Sequence, residues 1–214
     1  MTASIRTARR RPEDRPDEIL SAAMEVFSEK GFAAARVEDI ARRAGLSKGA
    51  VYLYFDSKVA MLKALVEQSA GRIANAASTL SLMGADDDPE QAYRAILKMA
   101  LTALSDPEIS AAPRLVLSEA GRFPELAQFY RKRVIEVGRT AMGHLIRTGR
   151  RNGRFRDVAD EAAVLAFIGP VVAQMMLSTV FRLDDDPELD PGDLADAIAD
   201  IVLNGLKPRS VNDA

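Results

Sequence analysis

The side chains best suited to meet a polyanion stand close together: Lys48, Tyr52, Tyr54 and Lys58 follow one another along a short stretch, with Arg36 upstream. A lysine ammonium can pair with a phosphate or with the O6 and N7 edge of guanine, and a tyrosine hydroxyl can donate to a phosphate oxygen. Other chemistry is poorly provided for. The 214 residues include no cysteine, so thiolate metal sites, disulfides and thiol nucleophiles are excluded, and His144 is the sole histidine. There is no glycine-rich phosphate loop, nucleophile elbow or zinc motif, so the chain reads as no enzyme, with no cofactor. The runs Asp86 to Asp88 and Asp184 to Asp186 lack the glycine and distant glutamate of a calcium loop, and no metal is expected.

The elements that must position these residues are helical. Apolar residues recur at helical spacing nearly throughout, without sustained alternation of the strand type. The first helix should begin at Pro16, with Asp17 and Glu18 in its first turn, bury Ile19, Leu20, Ala23, Val26 and Phe27, and stop at Lys30 and Gly31. A second, carrying Val37, Ile40, Ala41 and Ala44, ends at Gly45, and Ser47 is a good N-cap for a third reaching about Tyr54. Two short helices around a glycine turn predict a helix-turn-helix, whose second helix enters the major groove. Val51 and Phe55 belong to its core. The bland alternative for both tyrosines is a core aromatic with a wet hydroxyl.

Charge supports this division. Residues 1–58 hold 11 Lys and Arg against 9 Asp and Glu, and the remainder 18 against 22. Residues 1–15 read as a flexible basic arm, with Arg6, Arg9, Arg10, Arg11 and Arg15. They also lack the apolar stretch of a secretory signal, and with the missing cysteines this points to a cytoplasmic protein.

Beyond the front domain a long helix is expected from Ser57 to about Leu82, then helix starts at Asp88-Pro89 and Asp106-Pro107, where Asp caps and Pro occupies the first turn. The apolar spacing continues from Pro124 to about Gly149 and ends in the cluster Arg147, Arg150, Arg151, Arg154 and Arg156, which suits a solvated helix C-terminus. Residues 162–181 are uncharged and about long enough to cross a bilayer. With Gly169, Pro170, Gln174, Ser178 and Thr179 among them, they read as a helix buried in protein, and no membrane contact is expected. This helix and the next, Pro191 to Leu206, offer more apolar surface than one small core needs. Val164, Phe167, Ile168, Val171 and Val172 on the first, with Leu194, Ile198, Ile201 and Val202 on the second, are the expected homodimer interface, a four-helix bundle shared with a second copy.

From Ile19 to Leu62 the chain carries, in order, Ala22, Ala23 and Phe27, Gly31-Phe32, Val37 to Ala41, Ala44 to Gly49, Tyr52, Tyr54-Phe55 and Ser57-Lys58. On these residues the segment resembles the DNA-binding domain of the TetR family of bacterial one-component regulators. The DNA-binding set is then Arg36, Ser47, Lys48, Gly49, Ala50, Tyr52, Leu53, Tyr54 and Lys58. Three positions depart from the family pattern. Arg36 stands where members usually carry a capping Ser or Thr, and Ala50 and Leu53 replace polar positions of the recognition helix. Ala50 and Leu53 can touch a thymine methyl but cannot hydrogen-bond a base.

The resemblance implies an all-α protein in which a three-helix helix-turn-helix domain, residues 16–58, is joined by a long helix to a helical effector-binding and dimerisation domain, residues 59–214. It further implies a dimeric regulator, most often a repressor, released from a palindromic DNA operator by a small molecule. Candidates for the effector site are Met99, Leu115, Phe123, Phe129, Tyr130, Met142, His144, Met175 and Met176, since methionine and aromatic side chains make adaptable apolar walls. Plain core packing is the alternative for each, and a lipophilic effector is expected. The rival function is a helical adaptor using the front domain for protein contacts.

Overall fold

The structure, a computed structural model, describes residues 15–179, 181 and 189–207. Most of the expected arm and the run Asp184 to Asp186 lie outside the described residues. The chain divides into two compact units between Leu65 and Val66. Among the described residues every regular element is helical.

In the front unit, α1 (Arg15–Lys30), α2 (Val37–Arg43) and α3 (Lys48–Tyr52) precede α4 (Lys58–Val66). Arg15 lies inside α1 and pairs with Glu18 at 3.2 Å, so it is helix rather than arm. The α1 face read from the sequence is buried, and Phe27 meets Phe32 edge-on with ring centroids 5.0 Å apart. Ile40, Val51, Met61 and Leu62 complete this core. Each such side chain contributes about 1.5–3 kcal/mol when fully removed from water. Arg43 bridges Glu25 and Glu29 at 2.7 and 2.6 Å, and Lys30 meets Asp39 at 3.0 Å. These exposed pairs add little stability, but they orient α2 against α1.

The rear unit holds α5 (Arg72–Gly84), α6 (Pro89–Ser105), α7 (Pro107–Glu119), α8 (Pro124–Tyr130), α9 (Glu136–Arg151), α10 (Asp160–Thr179) and α11 (Pro191–Leu206). Asp88 and Asp106 cap α6 and α7, accepting from Glu90, Gln91 and Glu108 backbone N–H groups at 2.8–3.1 Å. Asp190 caps α11 in the same way. Helix α6 packs against α5, α9, α10 and α11. At their centre Tyr93 stacks on Phe167, centroids 4.0 Å apart and planes 16° from parallel, and Phe155 meets Phe167 edge-on. Phe155 is admitted only because residue 149 is glycine; a Cβ there would lie 2.2 Å from the ring.

Two expected helices are interrupted. A π-helical turn, Glu67–Gly71, separates α4 from α5, and another, Arg131–Ile135, separates α8 from α9. Apolar spacing does not register one inserted residue per turn, so both segments read as continuous. The two turns pack against each other, and Arg133 Nε donates to Glu67. Single π turns often accompany functional sites. The basic end of α9 is likewise more tied down than a solvated loop: Arg150 pairs with Asp157 and Asp160, and Arg156 Nε donates to the Gly205 carbonyl at 2.8 Å.

Candidate DNA-binding face and effector cavity

The front unit builds its face from a turn and a cap. Gly45 sits at φ +68°, and the N–H groups of Leu46 and Gly45 donate to the carbonyls of Ala41 and Arg42, closing α2 in a Schellman motif. A side chain at that φ would be strained, which is why glycine stands there. Ser47 then opens α3, its Oγ accepting from Ala50 N–H at 3.1 Å. Val51 is wholly buried and anchors the helix. That leaves Ser47, Lys48, Gly49, Tyr52, Leu53 and Tyr54 exposed, with Ala50 half-buried; Leu53 is 82% exposed although apolar.

Lys48 is engaged before any DNA arrives. Its Nζ lies 2.5 Å from Glu38 Oε1 and 5.7 Å from the centre of the Tyr52 ring. The hydrogen bond between them holds the Glu38 carboxyl below its usual range and raises the Lys48 ammonium. Arg36 is exposed at the N-cap of α2 and makes no side-chain cap, as its identity implies. Lys58 requires a correction. Its ammonium donates to the carbonyls of Phe32, Ala33 and Ala35 at 2.7, 2.8 and 3.1 Å and lies over the Phe32 ring, so it fastens the α1–α2 connection instead of presenting a charge to phosphate.

The rear unit is hollow. A cavity of about 240 Å³ is walled by Ala70, Ile73, Ala74 and Ala77 from the connecting helix, by Tyr93, Ile96, Leu97, Ala100 and Leu104 of α6, and by Leu117 of α7. Tyr130, Val134, Ile135, Gly138 and Met142 close a second side, and Phe167, Ile168, Val171, Val172 and Met175 of α10 a third. No lining residue carries a charge. Of the nine residues expected here, Tyr130, Met142 and Met175 line it. Met99, Leu115, Phe123, Phe129 and Met176 do not, because composition cannot say which face of a helix looks inward. His144 lies in a separate polar cleft with Arg147, Arg150 and Arg151, its Nδ1 3.3 Å from the Oγ of buried Ser81. A usable signal was present: Ala70, Ala74 and Ala77 repeat at helical spacing, and small side chains along an inward stripe leave space.

The expected dimer residues divide. Val164 and Phe167 are 6% and 1% exposed, inside the protomer, and cannot face a second copy. A helix apolar all round hides which side is core. The outward stripe of α10 is instead Ala162, Leu165, Ala166, Gly169, Val172, Ala173 and Leu177, at i, i+3, i+4 and i+7 spacing, with Ile168 and Val171 half-buried beside it. On α11, Ile201 is 74% exposed, flanked by half-buried Leu194, Ile198 and Val202. Leu165 and Leu177 escaped the sequence reading. Helix α10 is long and apolar enough to cross a membrane by length and composition alone, and only 22% of that span is buried within the protomer.

Comparison with known proteins bears on both units. The family described as bacterial regulatory proteins, tetR family, matches residues 19–65, and that described as tetracyclin repressor-like, C-terminal domain, matches residues 86–202, more than half of the chain. The chain belongs to the TetR family. An uncharacterized HTH-type transcriptional regulator of Bacillus subtilis, YvdT, is 49% identical over 51 residues, 24% of this chain and only 26% of its own length. The HTH-type transcriptional regulator EthR of Mycolicibacterium smegmatis is 25% identical over 202 residues, 94% of this chain and 90% of that protein. The transcriptional regulator FadR of Bacillus subtilis, solved in complex with stearoyl-CoA, superposes with a TM-score of 0.70 at 18% identity, covering 89% of this chain and 98% of that one. As a TetR-family member the protein is a helix-turn-helix transcriptional regulator and not an enzyme. Regulators of this family bind DNA operators and small-molecule effectors, and act as dimers.

Proposed function

We propose that this TetR-family regulator is a cytoplasmic repressor that holds a palindromic operator as a homodimer and releases it when a small lipophilic effector fills the cavity of the rear unit. The observation that carries this reading is the presence, in one chain, of an exposed reading face and of a partly open cavity lined without charge. The FadR structure solved with stearoyl-CoA, whose acyl chain is apolar, supports an effector with a lipophilic part. On the DNA side, Lys48 reads guanine after exchanging Glu38 for the base, while Ala50 and Leu53 rest on thymine methyls. Arg36, Ser47, Gly49, Tyr52 and Tyr54 meet the backbone. The apolar stripes of α10 and α11 form the dimer bundle.

The coupling follows from geometry. Two recognition helices must lie about 34–36 Å apart, or a multiple of one turn, to engage two half-sites. Helix α4 leads into the π turn Glu67–Gly71, whose Ala70 lines the cavity and whose Glu67 is held by Arg133. An effector that favours another arrangement of this turn lowers DNA affinity by its differential affinity for the two states, and DNA lowers effector affinity by the same factor.

The test is selection of genomic fragments by purified protein at physiological salt, with footprinting of the best fragment. Protection of an inverted repeat on successive turns is expected. Uniform binding that salt abolishes for every sequence alike would overturn the operator reading in favour of non-specific contact.

A further inference from the structure

The reading face carries a carboxylate, which a polyanion repels. Glu38 lies in the first turn of α2 and is exposed. Its neighbours on α1 and α2 face the protein's own cations: Asp39, 16% exposed, meets Lys30, and Glu25 and Glu29 meet Arg43. Glu38 instead crosses to the recognition helix, where its Oε1 lies 2.5 Å from Lys48 Nζ with both side chains half exposed. The ammonium also stands 5.7 Å from the centre of the exposed Tyr52 ring, so the pair sits among the residues turned outward. Stability does not account for it. Asp39 already sets a carboxylate against the N-terminus of α2, and an exposed ion pair adds little. Any group that Lys48 meets is therefore met by Glu38 as well. Against a phosphate, the ammonium gains an oxygen while the carboxylate faces a second anion. Over a G·C pair, guanine O6 and N7 accept from the ammonium, and the cytosine N4 amino group beside O6 is a donor.

We propose that Glu38 is a specificity-determining residue: it cancels Lys48 towards phosphate and leaves it effective over a G·C pair, where the freed carboxylate accepts from the cytosine amino group. This inference rests on the reading of Lys48 as a guanine contact and deepens it. On random DNA, a lysine that neutralises a phosphate releases a condensed cation. A Glu38 set free beside the backbone holds a cation in its place, so Lys48 adds nothing to the salt dependence. Over G·C both members of the pair find partners. Adenine donates from N6 but offers the ammonium one acceptor in place of two, and thymine O4 offers the carboxylate no donor. Ala50 and Leu53 cannot hydrogen-bond a base, so on α3 the discrimination between polar base edges falls to Lys48 with Glu38 beside it.

The test compares the full chain with Glu38→Gln, Lys48→Met and the double variant, by fluorescence anisotropy on the footprinted operator and on a random duplex of equal length across a salt series. Glu38→Gln should bind the random duplex roughly 3- to 10-fold tighter and the operator no tighter, so the ratio of the two affinities falls. Its log-log salt slope on random DNA should steepen by about 0.9, the mark of one more neutralised phosphate. In the Lys48→Met background the same substitution should leave ratio and slope nearly unaltered. Among single G·C to A·T changes through the half-site, one should cost the wild type about tenfold or more and Glu38→Gln clearly less. A purely structural ion pair would lower the melting temperature of Glu38→Gln without moving the ratio or the slope. An unchanged ratio in Glu38→Gln, with the operator still preferred by the wild type, overturns the role of Glu38 and leaves the operator reading standing. An equal change in both Lys48 backgrounds is bulk charge alone and overturns it too. Wild-type protein that binds both duplexes alike removes the operator reading and this proposal with it.

Discussion

The front and rear units spend their residues in opposite ways. The front unit hides a small core and turns unusual side chains outward: an 82% exposed Leu53, two tyrosines about two-fifths exposed and an exposed Arg36. The rear unit turns ordinary side chains inward around a space they do not fill, and the Tyr93 hydroxyl and a Glu119 carboxylate oxygen are buried there without a hydrogen-bond partner. A surface reader is recognised by what it exposes. A cavity is recognised by what the core around it lacks, and a substitution that unfolds one unit should leave the other folded.

The largest separation is expected from Phe167→Ala. It removes the ring that stacks on Tyr93 and meets Phe155, and should cost about 3–5 kcal/mol of rear-unit stability, read as an early transition in thermal or denaturant unfolding. Were Phe167 an interface residue instead, the variant would dissociate dimers while the protomer kept its melting temperature.

Next in size is Leu53→Glu. The side chain is 82% exposed, so the fold should be unchanged. A carboxylate set against the phosphates should weaken operator binding on the order of 100-fold, because juxtaposed like charges cost several kcal/mol. A smaller loss in fluorescence anisotropy would move the reading contact away from α3.

Alkaline pH should single out the rear unit. Burial raises the Tyr130 phenol from 10 in the unfolded chain to about 12 in the fold. Above pH 10 the unfolded state releases its proton first, so stability is complete below pH 10 and falls as pH rises toward 12, by on the order of 2 kcal/mol. Tyr130→Phe should remove that part of the decline in urea midpoints measured across this range.

The smallest effect is expected from Arg36→Ser. It supplies the side-chain cap that α2 lacks and should stabilise the front unit by about 1 kcal/mol, while operator affinity falls through the lost phosphate contact. Affinity that rises with stability would mean that Arg36 does not touch DNA.

The same contrast explains what could be read before the structure. The helix-turn-helix was legible because Gly45, Ser47 and Val51 have roles tied to residue type: a left-handed turn, a cap and an anchor at fixed spacing. The Asp-Pro helix starts were legible for the same reason. Lys58 misled because a lysine at a helix start suits a phosphate as well as the three carbonyls it holds. The cavity was largely illegible because Leu97 and Ile96 inside it are of the same type as Leu145 and Ile146 in the solid core. Phe167 shows the limit most sharply, since it belongs to a helix apolar on every side and only packing assigns its direction. The π turns escaped because a local widening leaves the apolar spacing almost unaltered.

The central claim, that filling the cavity releases DNA, can be tested without knowing the effector. Ala74 lines the cavity and is 6% exposed, so Ala74→Phe places a ring where the effector would sit. Its dissociation constant for the footprinted operator should be about 5- to 150-fold weaker than the wild type's, the usual span of allosteric coupling, with helicity and dimer state unchanged. Operator affinity equal to or tighter than the wild type's, with the cavity filled and the fold intact, would contradict the account.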